Sequence, residues 1–117
     1  MNEADLKKRT KQFGLRVIRL VESLPSTSTA RTIGNQLLRS GMSVGANYRE
    51  ANWARSKAEF ISKMGDCLKE ADETLYWLEL MADENVIPAR RLGPLTAEAS
   101  ELVAIFITIL KHARGHA

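Results

Sequence analysis

Residues 44–80 read VGANYREANWARSKAEFISKMGDCLKEADETLYWLEL, and the way this stretch divides decides the fold. Phe60, Met64, Cys67, Ala71, Leu75, Leu78 and, beyond it, Ala82 recur at alternating threes and fours, the near-heptad stripe of a helix suited to bundle packing. The outer positions of the same segment are largely acidic: Asp66, Asp72, Asp83 and Glu84. Ser56 followed by Glu59 matches a capping box, in which the serine oxygen accepts an N–H of the new helix while the glutamate reaches back to the cap. A helix is therefore expected over about 57–85. A preceding helix should end near Arg55, with a very short connection, because no Pro or Gly separates the two.

Working outward, the preceding segment at about 30–55 carries Ile33, Leu37, Val44 and Ala51, with Ser40, Gly41, Ser43, Gly45 and Ala46 clustered in its middle. Each of the two glycines costs roughly 1 kcal/mol of helix propensity relative to Ala. Close approach of another backbone is the usual offset, so this helix should press against a neighbour there. The first segment, about 3–24, places Leu6, Phe13, Val17, Leu20, Val21 and Leu24 on one stripe. Pro25 and the run Ser26, Thr27, Ser28, Thr29 then stop it and offer N-caps to the next helix.

Downstream, Pro88 is a natural first-turn proline for a fourth helix over about 88–113. Leu95, Ala99, Leu102, Phe106, Ile109 and Ala113 keep a heptad through it. Pro94 should kink this helix or mark an irregular first turn. The run from Val103 to Ile109 is strand-like by propensity, but the heptad continues on both sides and no other segment is available to pair as a sheet. Val103, Ile105 and Ile107 point away from the stripe. One helix of a small bundle cannot bury two faces internally, so a subunit interface is expected. The last residues, Arg114 to Ala117, are expected to fray.

The reading is thus all-α: one bundle of four helices in 117 residues, a length that closes a single modest core. Hydrophobic residues at 44% and charged residues at 26% indicate neither disorder nor a fibrous class. The longest apolar run, eight residues interrupted by Thr108, falls far short of the roughly 20 needed to span a bilayer. The N-terminus has no apolar h-region, so no secretory signal is expected and the default compartment is the cytoplasm. The single cysteine, Cys67, has no disulfide partner and reads as a buried small hydrophobe.

No catalytic constellation emerges, and no cofactor is expected. His112 and His116 are the only histidines, and neither has a Glu three residues before it, as inward-facing di-iron sites require; a solvated terminal pair is the reading preferred to a metal site. No Gly-x-Ser-x-Gly or phosphate loop is present. Glu70 and Glu73, neighbours on a helix face, are best read as salt-bridging to Arg39 or Arg55 rather than as an acid/base pair. Together with Asn47 and Glu50, they and Arg39 are expected to form an inter-helix polar network that fixes the register of helices 2 and 3.

Charge is distributed unevenly behind the net +3. Residues 1–55 hold ten Lys/Arg against four Asp/Glu, and residues 56–85 hold three against eight. Such a split fits either opposite charges packed side by side or an exposed basic face that attracts phosphate. The candidate nucleic-acid contacts are Lys7, Lys8, Lys11, Arg16 and Arg19 on helix 1 with Arg49 and Arg55 on helix 2. Basic side chains interleaved with aromatics hold single strands by phosphate attraction and base stacking. Trp77 and Trp53 are both read first as packing residues, Trp53 being the one near enough to a helix end for its ring to reach the surface.

Arg39, Ser40, Ser43, Val44, Ala46, Asn47, Glu50, Arg55, Ser56, Glu59 and Phe60, followed by Glu70, Glu73, Tyr76, Trp77 and Leu78, give a specific resemblance. The chain is similar to the four-helix bundle proteins encoded by intervening sequences within bacterial large-subunit ribosomal RNA genes. Tyr48, Arg49 and Ala51 depart from the broader pattern of that family, which has Ala-Asn-Ile-Ala-Glu-Gly where this chain has Ala-Asn-Tyr-Arg-Glu-Ala. The resemblance implies an antiparallel up-down-up-down bundle, a ring-shaped homopentamer, and no established enzymatic activity. A more distant likeness to basic pentameric accessory proteins of diversity-generating retroelements makes RNA, DNA or a nucleoprotein the natural partner. The expected function is a non-enzymatic oligomeric bundle contacting nucleic acid through its basic faces. The alternative is a protein-interaction scaffold in which the basic helices only neutralise the acidic third helix of the same or a neighbouring subunit.

Overall fold

A computed structural model describes residues 1–115 as four helices with no strand among them. They are α1 (Glu3–Glu22), α2 (Ser28–Ala51), α3 (Lys57–Asp83) and α4 (Ala89–Ala113), in a molecule of 45 × 23 × 20 Å. Each helix packs mainly on its neighbour in sequence, and α1 touches α4 only lightly. His116 and Ala117 lie outside the described residues, and the paired reading of His112 with His116 goes with them.

Capping explains where the helices begin. Asn2 and Asp5 form a reciprocal capping box at α1, and Thr27 accepts from the Ala30 N–H at α2. Of the four hydroxyl residues after Pro25, Thr27 is the cap, so α2 starts two residues earlier than expected. It also ends earlier, at Ala51, because the chain turns at Asn52 through N–H bonds from Trp53 to Glu50 and from Ala54 to Ala51. Ser56 caps α3 at 3.0 Å from the Glu59 N–H. Glu59 returns not to the cap itself but to the Arg55 N–H, at 2.9 Å. This bond ties the short connection down at both ends.

The core stripe of α3 is Met64, Cys67, Ala71, Thr74, Leu78 and Met81, with Thr74 where Leu75 was expected. Thr74 is tolerated because its hydroxyl lies 2.7 Å from the Glu70 carbonyl and 2.9 Å from Ser40 Oγ, so the buried polar atom is satisfied. On α4 the buried set is Leu92, Leu95, Ala99, Leu102, Phe106 and Leu110. Leu110 replaces the expected Ile109 because a straight helix drifts about 20° per heptad against a 3.5-residue repeat. Pro94 lies inside α4 without ending it. It stands one turn in, where its missing N–H would have bonded to the exposed Arg90.

By length and composition α4 is apolar enough to cross a membrane, which its longest uninterrupted run did not suggest. Here that apolarity serves the core stripe just named. A second part of it, Ile105 and Ile109 with Ala104, lines a recess of about 330 Å3 with Met1 and Leu6 of the α1 end. Ile107, outside that lining, is 38% exposed.

Candidate nucleic-acid interface

The site is built from the seam between α1 and α2. Gly41 and Gly45 face α1 across it: a methyl group on Gly41 would stand 2.7 Å from Val17 Cγ2, and one on Gly45 would stand 3.3 Å from the Thr10 carbonyl oxygen. The two helices thus meet as closely as the glycine pattern predicted. Contacts run in opposite order along them, Gly34 beside Leu24, Gly41 beside Val17, Gly45 beside Thr10. Continued past Gly45, the same α2 face brings Arg49 and Asn52 level with the first turns of α1, where Glu3 and Lys7 lie one turn apart.

There the seam opens into a recess of about 270 Å3 lined by Glu3, Lys7, Arg49, Asn52 and Trp53. Trp53 follows the last turn of α2 and is 80% exposed, so the preferred packing reading fails for it. The turn that ends α2 at Ala51 carries the ring off the helix before it can reach the core. Nδ2 of Asn52 is buried and has no hydrogen-bond partner among the described residues. Burial pushes the pKa of the nearby Tyr48 hydroxyl up, with Asn52 acting against it, but the two side chains are not in hydrogen-bonding geometry.

The cations fall into two groups. Arg9 donates to Glu98 through Nε and an Nη, both at 2.7 Å, and reaches Glu101 at 3.2 Å. The Glu98 bonds hold its pKa above the ordinary arginine range, although partial burial works against them. Arg39 pairs with Glu70 at 3.2 Å and with Glu73. Lys7, Lys8, Lys11, Arg16, Arg19, Arg49 and Arg55 form no ion pair among the described residues. All are exposed except Arg16, which is half-buried. Only Lys7 and Arg49 of these seven line the recess, while Arg55 follows Trp53 by two residues.

The expected polar network resolves into separate parts. Arg39, Glu70 and Glu73 do meet between α2 and α3, and Glu73 also accepts from Trp77 Nε1 at 3.3 Å. Trp77 is half-buried, with its ring edge-on to Tyr76 at 5.1 Å. Glu50 instead pairs with Lys63 at 3.3 Å, and Asn47 makes no side-chain hydrogen bond among the described residues. Eleven positions separate Arg39 from Glu50 on α2, roughly 16 Å of helix, too far for one cluster. Arg9 and the Ser40–Thr74 pair escaped the sequence reading. Arg9 sits inside a run of lysines that reads as solvated, and the hydroxyl pair sits among residues that read as spacers. Cys67 is buried as expected, and burial pushes its thiol up to about 12.

A four-helix, all-α bundle with a basic, tryptophan-bearing end is the class this geometry defines. The chain belongs to the 23S rRNA-intervening sequence protein family, whose family model matches residues 2–108. It is similar to the crystal structure of a protein of unknown function from the S23 ribosomal protein family of Bacteroides thetaiotaomicron. The two are 37% identical, the match covers 90% of this chain and 97% of that one, and the TM-score is 0.84. No curated protein matches.

Proposed function

We propose that the protein is a non-enzymatic, oligomeric bundle that binds RNA or DNA through the basic faces of α1 and α2. The observation that carries this reading is the set of seven cations left without acidic partners among the described residues, beside a tryptophan that is 80% exposed. The scaffold alternative requires those cations to neutralise α3. Within one subunit none of them does: among the described residues, α3 acids are met from α2 by Arg39 alone.

The opposed order of contacts along α1 and α2, and the pairing of each helix with the next, support an up-down-up-down topology. The apolar recess between the α1 end and α4, together with exposed Ile107, supports self-association into the homopentameric ring that the family resemblance implies. Repeated around a ring, weak contacts at each rim add as avidity. Light scattering on the purified chain is expected to give the mass of five copies; a monomer would remove the ring.

Filter binding of a short single-stranded RNA across a salt series tests the function. Binding should weaken steeply, with log K falling by about 0.7 per log unit of salt for each phosphate neutralised. Retention that is absent at low salt, or flat across the series, would refute it. Replacing Lys7 and Arg49 by Ala should lower the slope by about 1 to 2.

A further inference from the structure

The recess at the end of the α1–α2 seam holds more than positive charge. Two of its lining groups have a directional hydrogen-bonding character, and they complement each other. Glu3 on α1 carries a carboxylate, which when ionised only accepts hydrogen bonds, and it forms no ion pair among the described residues although Lys7 stands one turn away. Asn52, the C-cap of α2, carries an amide whose Nδ2 is a buried donor with no hydrogen-bond partner among the described residues. A buried polar atom left unpaired implies a missing partner. Beside them Trp53 offers a bare aromatic face, and Lys7 and Arg49 offer two unpaired cations. At about 270 Å3 the space is smaller than the roughly 300–1,000 Å3 of drug-sized sites and suits a single planar ring system.

Resting on the nucleic-acid reading, we propose that this recess is a base pocket that captures one unpaired guanine of a single strand. Guanine alone among the four bases presents an acceptor followed by two donors, O6, N1–H and N2–H2, along its pairing edge. The two donors match the Glu3 carboxylate, and O6 reaches Asn52 Nδ2 when that amide, which has no exposed surface, turns out into the recess. Adenine and cytosine each place a ring-nitrogen acceptor where the carboxylate needs a donor, and uracil flanks its one donor with two acceptors. The ring stacks on Trp53, and the adjoining phosphates fall to Lys7 and Arg49. Single strands are read this way, by their exposed pairing edges and by stacking on aromatic side chains. Base selection and strand affinity then reside on different side chains.

Fluorescence anisotropy of the full-length protein tests that separation. The probes are a short labelled oligouridine with one central guanine, the same strand with inosine or adenine there, and plain oligouridine. The guanine strand is expected to bind about tenfold tighter than plain oligouridine. Inosine, which lacks the N2 amine, should fall between. Glu3→Gln, checked for unchanged thermal unfolding, should abolish the guanine preference while leaving the salt dependence intact. Trp53→Ala should weaken all strands by about tenfold. Equal affinity for all four strands, with the usual salt dependence, would overturn the pocket while leaving the function above in place. Preference for guanine retained in Glu3→Gln would overturn the role of the carboxylate. Absence of binding to every strand at low salt would sink both readings together. Displacement of the guanine strand by free GMP as effectively as by unlabelled strand would show a mononucleotide site instead, and overturn the claim that a strand is the ligand.

Discussion

Along its α2 flank α1 comes so close that a methyl group on Gly41 would collide with Val17, whereas along its α4 flank it is held by the long side chain of Arg9 reaching Glu98. The two flanks treat charge differently for that reason. Where helices stand apart, an arginine can lie across the gap and be consumed by carboxylates opposite. Where the helices close on each other, only a short apolar side chain such as Val17 fits between them, and Lys7 and Arg49 of the two helices come together past the last contact. Lys7 and Arg49 are therefore left for something else, although nothing in their own identity distinguishes them from Arg9. The gap between helices decides which positive charges are structural.

The comparison breaks most sharply at Gly41. Gly41→Val forces a branched side chain into Val17, and overpacking of this kind should lower stability by about 3 kcal/mol, read as a lower midpoint in urea. Unchanged stability would mean that Val17 does not fill the α1–α2 seam against Gly41. On the other flank, Arg9→Ala strands Glu98, whose side chain is 15% exposed against 22% for Arg9. Loss of charged hydrogen bonds at a partly solvated pair should cost about 2 kcal/mol. High salt should shrink that difference while leaving the Gly41 effect alone. The smallest effect has the opposite sign. Gly65 on α3 faces open space, so Gly65→Ala should raise stability by about 0.5–1 kcal/mol through helix propensity alone.

Much of this was legible in the chain. Apolar spacing located all four helices, the Ser56–Glu59 pair located the α2–α3 boundary, and the Gly41–Gly45 cluster identified where α2 is pressed. What spacing could not supply was which of several chemically equal groups a neighbour would select. Thr27 and the hydroxyls beside it were all able to cap α2, and only the path of the chain out of Pro25 decides among them. Arg9 and Lys8 are adjacent on one helix, yet rotation by about 100° per residue turns one toward α4 and leaves the other in solvent. At the candidate site, Lys7, Arg49 and Trp53 were each visible as residues of the right chemistry. Glu3 and Asn52 were not, because their relevance arises only from the meeting of the start of one helix with the end of another.

The contrast between the two tryptophans supplies the molecule with its own instrumentation. Trp53 stands in water at the rim, while Trp77 is half-buried, edge-on to Tyr76 and bonded to Glu73. Their indoles emit from different surroundings, the first sensitive to whatever stacks on it and the second to the integrity of α2 against α3. A ligand at the rim should quench the long-wavelength part of the emission alone, and denaturant should shift the remainder. One spectrum thus separates occupancy from unfolding, with no label added.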